Sequence, residues 1–129
     1  MTDNTARILA DYQTSDFSIS TIDLTFELSD SATIVTNVMK VSKVNNDCDV
    51  LVLNGEHLTL LLLTLDGEVV EKDGYQLTNE LLKIPVSQSE FTITVVTEIN
   101  PLENTALEGL FKSGGAFCTQ CEAEGFRRI

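Results

Sequence analysis

Three observations predict an all-β fold, mainly antiparallel and built as a β-sandwich or a saddle-like curved sheet. Apolar residues recur with period two, turn signals interrupt the chain every 8–15 residues, and no long stripe of helical spacing is present. At 129 residues the chain has the length of one domain. Folding at that size removes roughly two-thirds of the unfolded surface from water.

The first strand is the clearest. In Ile22-Asp23-Leu24-Thr25-Phe26-Glu27-Leu28 apolar and polar residues alternate strictly, as in a half-buried strand. Phe17 and Ile19 extend the pattern upstream, with a change of phase near Ser20–Thr21 that a β-bulge would produce. Ser29-Asp30-Ser31 is a turn cluster. Thr33 to Val44 is rich in β-branched residues, with Val35, Met39 and Val41 spaced to share one face, and Asn45-Asn46-Asp47 ends it.

Asp49 to Leu53 reads as a short apolar strand closed by Asn54-Gly55, a hairpin-type turn signal. Leu58 to Leu65 follows. Its Leu60-Leu61-Leu62-Leu63 run has no period of its own, but eight residues between turn signals favour a strand buried on both faces. Asp66-Gly67 repeats the turn signal. Val69-Val70, Asp73-Gly74 and Tyr75 to Leu77 read as a further hairpin, and Phe91-Thr92-Ile93-Thr94-Val95 closes the series with clear alternation.

Asn100-Pro101 divides the chain into a sheet core, residues 1–101, and an irregular loop, residues 102–129. The second part holds four of the seven glycines and two of the three cysteines, without the period-two pattern. A long unpatterned loop in a compact domain is usually functional or disordered. Ile129 reads as the start of a strand, so the chain is expected to be truncated before a further domain.

Composition removes several function classes. With 20 acidic against 8 basic residues the net charge is −12, and Arg127–Arg128 is the one adjacent basic pair. No basic patch is available to displace counterions from nucleic-acid phosphates or to bind anionic lipid. The start, MTDNTARILADY, lacks the apolar core of a signal peptide, and Leu58–Leu65 is far shorter than the roughly 20 residues of a membrane helix. Three cysteines, an odd number, without a secretion signal lead to an expectation of free thiols in the cytoplasm.

The chemistry concentrates in Cys118-Thr119-Gln120-Cys121-Glu122-Ala123-Glu124. A C-x-x-C pair suggests zinc or redox chemistry. Structural zinc needs four ligands, and only Cys48 and His57 remain as soft candidates. Thioredoxin-like chemistry places the pair at a helix N-terminus in an α/β setting, which this chain lacks. Two packed or exposed thiols is the simpler reading. In an extended segment Gln120, Glu122 and Glu124, at i, i+2 and i+4, project to one side. One amide oxygen and two carboxylates suit an ammonium group, which offers several N–H donors and a positive charge. A solvated acidic surface is the competing reading.

The block Asn104-Thr105-Ala106-Leu107-Glu108-Gly109-Leu110-Phe111, then Ser113-Gly114, then Cys118 to Ile129 as C-T-Q-C-E-A-E-G-F-R-R-I, closely resembles one family. It is the N-terminal domain of the bacterial aminopeptidase N type of M1-family zinc metallopeptidase, the alanyl aminopeptidases. Ile22-Asp23-Leu24-Thr25-Phe26 and Leu53-Asn54-Gly55-Glu56 extend the resemblance upstream. The resemblance implies a saddle-like N-terminal domain packed on a thermolysin-like catalytic domain. It also implies that Gln120 and Glu122 reach into the active site and hold the substrate's free α-amino group, with no direct role for Glu124. A peptide α-amino group, with a pKa of roughly 7.7–8.0, is mostly a cation near neutrality and suits a desolvated carboxylate. Fixing the amine sets the distance from the chain end to the scissile bond and lowers the barrier through proximity.

The sequence contains no H-E-x-x-H, the helical motif that presents two zinc ligands and a general base. The family's G-x-M-E-N segment is also absent, and the sole histidine, His57, reads as an exposed loop side chain. The chain alone is therefore expected to bind no zinc and hydrolyse nothing, zinc belonging to the full-length enzyme. The expected partners are a peptide N-terminus and the catalytic domain of the same polypeptide. Self-association of the isolated fragment is expected through an apolar sheet face or open strand edges. One competing hypothesis is a free-standing β-sandwich binding module with an acidic ligand loop. Another is a small redox or metal protein using Cys118 and Cys121.

Overall fold

A computed structural model describes residue 6 and residues 8–122. Among these residues the regular structure is ten strands and two three-residue 3-10 turns, and every strand pairing is antiparallel. The strands are β1 Phe17–Glu27, β2 Thr33–Lys43, β3 Val50–Asn54, β4 Thr59–Leu65, β5 Glu68–Val69, β6 Gln76–Leu77, β7 Leu81–Pro85, β8 Glu90–Ile99, β9 Gly109–Ser113 and β10 Ala116–Gln120. They form a five-stranded sheet in the order β1-β2-β8-β4-β5, a three-stranded sheet β3-β7-β6, and the separate pair β9-β10. The all-β, antiparallel expectation therefore holds.

The core lies between the two larger sheets. Met39, Val41, Phe91, Ile93, Val95 and Leu63 of the larger sheet meet Leu51, Leu82, Ile84 and Val86 of the smaller one. Phe17 packs against this cluster, its ring edge-on to Phe91 with centroids 6.2 Å apart. The predicted sharing of one face by Val35, Met39 and Val41 follows from strand alternation, and the latter two are fully buried. The change of phase near Ser20–Thr21 is a register shift between Ile19 and Thr21, so the bulge is present where the pattern slips.

Two sequence expectations need correction at the chain crossings. Asn54-Gly55 does not close a hairpin, because β3 pairs with β7 while β4 pairs with β8. The segment around Asp73-Gly74 likewise joins β5 in one sheet to β6 in the other. Both turn signals reverse the chain locally but carry it across the core. Asp66-Gly67 does make a hairpin, joining β4 to β5, with φ of 50° and 84° at its two central residues, as a type I′ turn requires.

The Leu60–Leu63 run is a strand, yet it is not buried on both faces. Leu63 is buried, whereas Leu61 and Leu62 are exposed. A register shift between Leu60 and Leu62 breaks the strand's pairing with β8.

The first strand differs most from a half-buried one. Ile22, Leu24 and Phe26 pair with Met39, Asn37 and Val35, so they share the core face of the sheet. Yet Ile22, Leu24, Phe26 and the following Leu28 are 48–56% exposed. The cause is length. The longest strands of the larger sheet have 10–11 residues, while β3 and β7 have five and β6 has two. The smaller sheet thus covers only the Met39–Val41 end, and the row on β1 extends past it. Asn37 lies in the same region, its Oδ1 buried and without a hydrogen-bond partner among the described residues.

Candidate functional site

The segment after Pro101 carries more regular structure than its sequence pattern predicts. Ser113-Gly114-Gly115-Ala116 is a two-residue hairpin turn, with φ of 56° and 82° at the glycines, and it joins β9 to β10. Five residue pairs run from Ser113–Ala116 at the turn to Gly109–Gln120 at the open end. The Gly-Gly pair was the signal that could have revealed this hairpin. It was obscured because neither flanking strand alternates cleanly.

Backbone and side-chain bonds tie this arm to the uncovered end of the larger sheet. Leu102 N donates to Asp30 O at 2.9 Å, and Lys112 N donates to the carbonyl of buried Pro101 at 3.1 Å. Lys112 Nζ reaches Asp30 Oδ1 at 2.9 Å and lies 4.6 Å from the centre of the Phe117 ring. Asn104 Nδ2 donates to Glu108 O at 2.8 Å and Leu110 O at 2.9 Å. Between them Leu107 takes φ of 57°, an uncommon conformation for a bulky residue.

Gln120 is the last residue of β10 and Glu122 lies two residues beyond it; both are exposed. Glu124 lies outside the described residues, so the expected convergence of three side chains is described only as far as Glu122. Exposure leaves the Gln120 and Glu122 side chains open to a ligand. An amide oxygen and a carboxylate this close in sequence can accept from the N–H groups of one cation.

Cys118 stands inside β10 and Cys121 just past its end, and both are free thiols, as is Cys48. Neither member of the pair is at a helix N-terminus, the setting that activates a redox thiol. His57 is an exposed loop residue with φ of 56°. It lines an open depression with Glu56, Leu58, Leu77, Thr78, Asn79 and Glu80, which includes neither Gln120 nor Glu122. Among the described residues no group of three or more His, Cys, Asp and Glu side chains is placed to hold a metal ion. The described residues therefore do not fit a zinc site.

No protein-family model matches the chain. Curated relatives do. The chain is 43% identical to Aminopeptidase N of Caulobacter vibrioides, 40% to that of Haemophilus influenzae and 41% to that of Escherichia coli, over 94–96% of its own length. It spans about 14% of the length of each of those relatives. Among solved structures it superposes on Legionella pneumophila aminopeptidase A in complex with aspartic acid, with a TM-score of 0.82 and 31% identity. That match covers 95% of this chain and 15% of the other.

Proposed function

Because the chain is homologous to one segment of the aminopeptidase N proteins, we propose that it is the N-terminal domain of a zinc-dependent aminopeptidase that removes N-terminal residues from peptides. In this reading Gln120 and Glu122 anchor the substrate's α-amino group. The zinc ligands and general base belong to the rest of the M1-type polypeptide, so the 129-residue chain alone is inactive. Three free cysteines fit a reducing compartment, the cytoplasm. The observation that carries the reading is the placement of two exposed ammonium-accepting side chains at the end of an arm, rooted at the end of the sheet where an apolar row stands uncovered.

That row gives the catalytic domain of the same polypeptide a surface to bury, and the arm beside it then extends toward the metal. Kinetics of the full-length protein test the anchors. Charge-assisted hydrogen bonds are worth about 1.5–3 kcal/mol, so Glu122→Ala should lower kcat/KM for free-amine substrates by roughly ten- to a hundredfold. Unchanged kinetics would remove Glu122 from this role.

A free-standing binding module is the second reading. It is favoured by the hydrogen-bonded pairing of β9 with β10, which this chain forms by itself. Calorimetry of the 129-residue chain with an alkylammonium or dipeptide ligand separates the two. Binding without the rest of the polypeptide supports the module, and its absence leaves the anchors dependent on the catalytic domain.

A further inference from the structure

We propose that Lys112 is a positioning residue for the substrate anchors, acting through Asp30 and Phe117. The inference deepens the reading of Gln120 and Glu122 as amine anchors and rests on it. Lys112 joins three parts of the molecule. Its ammonium meets Asp30 in the β1–β2 turn and lies over the Phe117 ring of β10, and its backbone N–H is held by Pro101. Phe117 is also its cross-strand partner, so the two side chains share a face of the hairpin. The Lys112 side chain is only 15% exposed against 61% for Asp30. The pair is thus less screened than an ordinary surface ion pair, and the ring adds an attraction for the cation.

Asn104 is the other fixed point, binding the arm at Leu110. Two points along β9 define a direction. Without the Lys112 charge the arm keeps its internal pairing and the Lys112 N–H bond to Pro101, and loses the ammonium contacts that stop it rolling about these two backbone points. Thr119 is the residue opposite Leu110, and Glu122 is three residues further on. At about 3.4 Å per extended residue the lever is at most about 10 Å, so a turn of about 10° moves the Glu122 carboxylate by nearly ~2 Å. Misplacement of about 1 Å in a positioning contact can cost about a hundredfold in rate.

The test is a mutant cycle in the full-length protein, read as kcat and KM on an aminoacyl p-nitroanilide. Lys112→Met keeps the stem and removes the charge, and should lower kcat/KM by about tenfold or more, mainly through KM. Lys112→Arg should restore activity to within about twofold, since a guanidinium reaches the same carboxylate and ring. Asp30→Asn, on the exposed side of the pair, should act in the same direction with a smaller factor, and it serves if Lys112→Met fails to fold. The decisive variant combines either change with Glu122→Ala. Once the anchor is absent its position no longer matters, so the second mutation should add almost nothing. Wild-type kinetics in Lys112→Met, or effects that multiply fully with Glu122→Ala, overturn the positioning role and leave the anchor reading intact. An inert Glu122→Ala overturns the anchor reading, and the positioning role with it.

Discussion

Thr33 is the sole buried polar residue among those described, and its hydroxyl closes the turn that holds the β9-β10 arm. It accepts from Ser29 N at 2.9 Å and donates to Ser29 O at 2.6 Å. Thr33→Val preserves the shape and removes both part-buried bonds to the Ser29 backbone. The expected loss is about 1–3 kcal/mol in urea unfolding. Thr33→Ser keeps the hydroxyl and gives up one methyl group, for about 0.8 kcal/mol. A loss in Thr33→Ser with none in Thr33→Val would assign the effect to packing instead. Residue identities alone made Gln120 and Glu122 legible as candidates, since an amide oxygen and a carboxylate at i and i+2 can both accept from one ammonium. They did not make Thr33 or Lys112 legible. Thr33 suits a strand by its branching whether or not its hydroxyl is used, and Lys112 meets Asp30 across a sequence separation of 82 residues.

The hairpin β9-β10 depends on Gly114 and Gly115, both at positive φ with open space around the missing Cβ. No steric contact forbids a side chain there, so the cost of Gly115→Val is conformational, about 1–2 kcal/mol. That cost should fall on the arm and spare the core. Amide exchange should quicken for residues 109–120 in this variant while Ile84 and Ile93 keep their protection; quickening throughout would mean that the arm and core unfold together. Among the strands, those with long alternation were legible, and so was the bulge in β1, because a slipped phase leaves a trace in the order of side chains. What was hidden is pairing. A turn signal says that the chain reverses, not which strand receives it, and at Asn54-Gly55 the receiver lies in a different sheet. Leu81–Pro85 is not legible because Leu81 and Leu82 are adjacent and Pro85 ends the segment, so its apolar residues do not alternate cleanly.

The architecture leaves β1 at the edge of its sheet with an uncovered apolar row, on a molecule of net charge −12. Apolar association and like-charge repulsion therefore oppose each other, and screening by salt weakens only the repulsion. Sedimentation of the 129-residue chain should show association that grows with protein concentration and with salt. The double variant Leu24→Lys, Phe26→Lys should remain monomeric, as charged side chains on edge strands do. A wild-type chain that stays monomeric at high salt would show that the row is not adhesive. The strand order also bears on synthesis. The strand at the centre of the larger sheet, β8, is the eighth of the ten to be made. Translation at ~5–20 residues per second leaves roughly 3–11 s between the end of β2 and the end of β8. During that interval the nascent β1–β2 ribbon waits without β8, the unpaired edge of β2 and the apolar row of β1 both in the open.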